Sequence, residues 1–93
     1  MTTEELDEMS NTTLQDFPLA TPDTLTKEYL EELFVELDYN GNSDPECAHI
    51  LESTAMHCFI ENVVANKYTL EEARVMGVLL LRIIDLPFPR WFA

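Results

Sequence analysis

The chain has 93 residues, 46% of them hydrophobic, and a formal net charge of −13 at pH 7. It is long enough for one small domain, and its apolar share excludes a wholly disordered acidic tail. There is no basic patch to hold nucleic acid directly, and two glycines are too few for a glycine-rich phosphate loop.

The charge is unevenly placed. Residues 1–66 carry fifteen Asp and Glu against Lys27 alone, whereas residues 67–93 carry three acids against Lys67, Arg74, Arg82 and Arg90. Like charges repel in a compact state, so the imbalance adds no stability. It is either a solubility device or a surface meant for a basic partner. The first residues, Met1-Thr2-Thr3-Glu4-Glu5-Leu6, have neither the basic nor the apolar region of a secretory signal. The longest apolar run, 75–81, is far short of the ~20 residues that span a bilayer. A soluble, cytoplasmic protein without membrane contact is expected.

Residues 1–24 read as a flexible acidic arm broken by Pro18 and Pro22. Thr2 or Thr3 suits the cap of a short helix through Met9, and Leu14, Phe17 and Leu19 are isolated apolar residues. The arm's other reading is a linear motif that orders on a partner. Residues 25–93 then form a helical domain.

The first helix is expected over 26–38. Thr26 is a good N-cap, with Leu25 placed to staple onto Leu30. Tyr29, Leu30, Leu33, Phe34 and Leu37 make one apolar face. Asn40 or Gly41 suits a left-handed cap at its end. The second helix, 45–65, starts with Ser43 or Asp44 as cap and Pro45 at the first position. Cys47, Leu51, Ala55, Cys58 and Phe59 form one patch on it, and Met56, Ile60, Val63 and Val64 another. A helix apolar on more than one side is usually central. The third, 69–85, opens with the capping box Thr69-Leu70-Glu71-Glu72 and stops before Pro87. The β-branched run 78–84 also suits a strand, but the capping box and Arg82 favour helix. The fold class is therefore all-α, a small three-helix domain with an acidic N-terminal arm and an aromatic C-terminal tail.

Four constellations bear on function. Glu28, Glu32 and Glu36 stand at i, i+4 and i+8, with Glu31 and Asp38 beside them. No Lys relieves their repulsion, and carboxylates about 6 Å apart can imitate a run of phosphates. The bland reading is a solvated acidic face. The loop from Asp38 to Asp44 begins like a calcium loop, but Gly41 falls at the wrong position and His49 stands where a bidentate Glu is needed. Glu46, His49, Ser53, His57 and Glu61 line one side of the second helix; His49 and His57 are ~12 Å apart and cannot share an ion, so a solvated strip is expected. Last, Phe88, Arg90, Trp91 and Phe92 form a tail that either folds back as a lid or anchors a partner or a second copy. Cys47 and Cys58 lie ~16 Å apart along one helix, too far for a disulfide between them, and are expected as reduced thiols.

No catalytic group, metal site or cofactor site is expected. The leading function is a non-enzymatic acidic binding protein that occupies the basic, nucleic-acid-facing surface of a partner protein and inhibits or regulates it. Its partner-binding residues would be Glu28, Glu31, Glu32, Glu36, Asp38, Arg90, Trp91 and Phe92. The alternative is a small structural or adaptor subunit that assembles through its apolar helices and aromatic tail. Two assemblies are expected, a homodimer through the third helix and tail or a monomer whose tail packs back across the core; the dimer is slightly favoured, since a chain this short has few residues to cover that helix.

Overall fold

The computed structural model describes residues 14–90. A 3-10 turn, Leu14–Asp16, precedes α1 (Lys27–Asn40), α2 (Pro45–Val64) and α3 (Leu70–Ile84). Among the described residues there is no strand, and the run 78–84 lies within α3. The caps act as their residue types dictate. The Thr26 hydroxyl accepts from the Tyr29 N–H at 3.1 Å. Asp44 accepts from the Cys47 N–H at 3.3 Å. Thr69 and Glu72 exchange bonds of 3.1 and 2.8 Å, a complete capping box.

The end of α1 differs from expectation. No left-handed residue stands there; Gly41 has φ −58° and its N–H donates to the Leu37 carbonyl, a right-handed cap. Its glycine serves a different need. A Cβ at Gly41 would lie 2.5 Å from the Leu37 carbonyl oxygen and 2.9 Å from the Phe88 ring, so the missing side chain both fits the helix end and admits the tail. Among the described residues, the left-handed one is Asn66, φ 58°, just beyond α2.

The core forms where α1 meets α3. Leu30, Leu33 and Leu37 of α1 are buried with Met76, Leu80 and Ile83 of α3. Each buried leucine contributes about 2 kcal/mol of hydrophobic stabilisation. From α2 come Ala48, Leu51, Ala55 and Cys58, mostly small side chains. α2 is not the central helix. α3 makes the more extensive contact with each of the other two. Of the second apolar patch of α2, Met56 packs against the core, while Ile60, Val63 and Val64 are all exposed.

Residues 14–24 pack on the helices, whereas the sequence places them in the arm. Leu14, Ala20 and Leu25 are buried. The Tyr29 hydroxyl donates to the Pro18 carbonyl at 2.6 Å, and Phe17 meets the Tyr29 ring edge-on at 5.4 Å. Burial pushes the Tyr29 phenol up to about 12. Asn62 donates to the Pro22 carbonyl at 2.8 Å and to the Tyr68 hydroxyl at 2.7 Å. Tyr68 in turn donates to the Leu25 carbonyl at 3.2 Å. The Asn62–Pro22 and Tyr68–Leu25 bonds join residues 40 and 43 positions apart, which local composition does not reveal. Residues 1–13, including the short helix expected through Met9, lie outside the described residues.

As far as Arg90, the C-terminal segment folds back. Leu86 and Phe88 are buried. Arg90 holds Glu52 of α2 bidentately, Nε to Oε1 at 2.6 Å and Nη2 to Oε2 at 3.0 Å. Its guanidinium also donates to the carbonyls of Ile83, Leu86 and Phe88 and lies 3.7 Å from the centre of the Phe88 ring. One side chain thus closes the end of α3 and ties it to α2. The Glu52 side chain is only 4% exposed. Among the described residues, removing its partner leaves this carboxylate with His49 alone as an ion-pair neighbour. Arg90→Ala is expected to cost about 3 kcal/mol, read as a lower urea midpoint with little change in helical circular dichroism at zero denaturant. A loss below about 0.5 kcal/mol would show that the pair does not hold the tail.

Candidate functional site: the acidic face of α1

With Leu30, Leu33 and Leu37 turned inward, one line of α1 must face water. That line is Glu28, Glu32, Val35 and Tyr39, at helical spacings of four, three and four. Glu31 and Asp38 flank it and are exposed; Glu36 lies on the other flank, half-buried. Glu36 accepts a bond from the Asn40 side chain at 3.0 Å. Among the described residues, no ion pair reaches any of these five carboxylates. The only basic residue of α1, Lys27, stands at its first position.

The face is not uniformly polar. Tyr39 is 80% exposed and Val35 51%. An open depression is lined by Phe17, Glu31, Glu32, Val35 and Glu36. Carboxylates therefore rim an apolar floor. Such a surface can take a basic side chain, with the charged head on the rim and the aliphatic stem on Phe17 and Val35. A second groove, about 400 Å³, opens between the N-terminal ends of α1 and α3. Glu28, Glu71 and Glu72 stand on its rim above Leu25, Val75 and Met76.

The other sequence candidates fall in different places. Arg90, expected at the partner surface, is taken up by Glu52 and by carbonyls of its own segment. Trp91 and Phe92 lie outside the described residues. The polar side of α2 splits in two. His49 bonds Glu52 at 3.2 Å and Ser53 at 3.3 Å, while His57 and Glu61 pair at 2.7 Å in the open. Among the described residues, no three potential metal ligands cluster. Both cysteines are free thiols, and burial, with acidic neighbours adding to it, pushes both thiols up. No helix among the described residues is long and apolar enough to cross a membrane.

Sequence reasoning passed over Val35 and Tyr39 as members of this face and Glu52 as a buried anchor. The first two were findable by extending the Glu28–Glu32 line by seven residues. Glu52 gave no such signal, because its partner stands 38 positions away. Comparison of the chain with protein-family models, with characterised proteins and with solved structures finds no match.

The unrelieved acids should weaken their own helix. A lysine at position 32 would stand one turn from both Glu28 and Glu36. Glu32→Lys is therefore expected to raise stability by about 0.5 kcal/mol at low ionic strength, and by less as salt is added. Chemical denaturation at two salt concentrations measures this; a destabilised variant would mean that Glu32 has a partner.

Proposed function

We propose that this chain is a non-enzymatic, cytoplasmic binding protein. Its α1 face occupies a basic surface of a partner protein that otherwise faces nucleic acid, and so inhibits or regulates that partner. One observation carries the reading. Glu28, Glu31, Glu32, Glu36 and Asp38 gather on one helix face, around Val35, with no internal cation paired to them among the described residues. Two further arguments support it. The charge raises the encounter rate with a basic surface, and carboxylates one helical turn apart offer that surface a row of anions. The apolar floor gives the complex a part that salt does not screen.

A second reading is a structural or adaptor subunit assembling through apolar surface, with acidity serving solubility. The outward patch of α2 and the exposed Leu70 and Leu81 of α3 favour it. Salt separates the two. A complex on the acidic face weakens steeply between low and moderate ionic strength, whereas one seated on apolar surface does not.

The combined variant Glu28→Lys, Glu32→Lys and Glu36→Lys tests the first reading, because these side chains point away from the leucine face. The variant should fold like the parent. Proteins that the parent captures from host lysate at low salt, and releases to added duplex DNA, should be absent from the variant's eluate. Equal capture by parent and variant, or capture insensitive to DNA and salt, would overturn the electrostatic reading.

A further inference from the structure

α3 turns a second side outward, away from α1. Glu71, Arg74, Val78, Leu81 and Asp85 follow one another at spacings of three, four, three and four, which lays them in one line along the helix. All five are exposed, Leu81 by 62%. Leu70, 77% exposed, flanks the line on the side of Gly77. There the apolar surface passes to α2, because the Phe59 ring stands against Gly77. Ile60 and Val63, near Phe59 on α2, are exposed too. Exposed apolar side chains on two neighbouring helices are a feature that calls for a partner.

Two observations say what covers it. The first is charge. The chain carries −13, so a second copy approaching the acidic α1 face is repelled. The α3 line instead holds two acids, Glu71 and Asp85, and one base, Arg74, with Arg82 beside it. Among the described residues, Arg74, Arg82 and Asp85 have no ion-pair partner within their own copy. The second is Gly77. A glycine inside a helix weakens it, and nothing in the fold requires this one. A Cβ there would meet only the Phe59 ring, at an ordinary 3.9 Å. Its missing side chain does leave a notch beside the line, where another helix can approach closely.

We propose that this face is a homodimer interface in which α3 packs antiparallel on α3 of a second copy. The two-fold axis passes at the level between Leu79 and Leu80. In that register Val78 lies opposite Leu81 of the second copy and Arg74 opposite Asp85 of the second copy. Two-fold symmetry makes each contact twice. The charges are thus self-complementary only in the antiparallel sense, and the acidic α1 faces of both copies point outward.

Sedimentation velocity on the full chain across the micromolar range tests this. The parent should sediment at twice its 10.7 kDa mass. Leu81→Lys, at an exposed position, should keep the parent's circular dichroism and fall to the single-chain mass. Arg74→Asp should weaken association at least tenfold, and Arg74→Asp with Asp85→Arg should restore it. A parent that stays at single-chain mass overturns the proposal. So does a doubled mass that survives Leu81→Lys. Failure of the double exchange to restore association overturns the antiparallel register.

Discussion

Burial of Leu30, Leu33 and Leu37 against Met76, Leu80 and Ile83 is the contact on which the rest of the molecule depends. An α-helix has no freedom to turn one face inward without turning the opposite face outward. Sinking the three leucines therefore exposes Glu28, Glu32, Val35 and Tyr39 as one line. The same contact fixes α3. With Met76, Leu80 and Ile83 inward, Arg74, Val78, Leu81 and Asp85 have no choice but the far side. The molecule thus acquires an acidic side on α1 and a side on α3 of mixed charge with exposed apolar residues.

Polar contacts finish what the leucines begin. The apolar core is small, and the segments flanking the helices contribute only a few buried side chains each. Arg90 bonded to Glu52 closes the C-terminal end, and Asn62 with Tyr68 ties down the chain ahead of α1. Such buried groups give little net stability compared with apolar replacements, but they are costly to leave unpaired. Their effect is selective: the described segments flanking the helices pack where these partners are met. Gly41 has the same character, since Phe88 reaches its place only past a residue without a side chain.

Local chemistry made much of the fold legible in the sequence. Thr26, Asp44 with Pro45, and Thr69 with Glu72 are caps whose action depends on neighbours within three residues, so the helix starts could be read directly. The acidic face was legible for the same reason, because helical period alone gathers its residues. What was hidden depends on distant contacts. Composition marks residues 14–24 as polar and proline-broken, but Leu14 and Ala20 are held by α1 and α2. The two apolar patches of α2 suggested a central helix. Its side bearing Ala48, Leu51, Ala55 and Cys58 is the buried one, Ile60, Val63 and Val64 stay exposed, and α3 became the helix on which the others pack. Glu52 looked like one more surface acid until Arg90, 38 residues on, was placed beside it.

Functionally, the proposal rests on the two sides being chemically distinct, with α1 taken to recognise positive charge and α3 not. The most direct measurement is a titration of the ¹⁵N-labelled chain with a short oligo-arginine peptide, followed by amide chemical shifts at low salt. Saturable shifts confined to residues 28–39 and their neighbour Phe17, and suppressed by added salt, are what the account predicts. Shifts centred on residues 70–85, or spread evenly over every exposed acid without saturation, would contradict it.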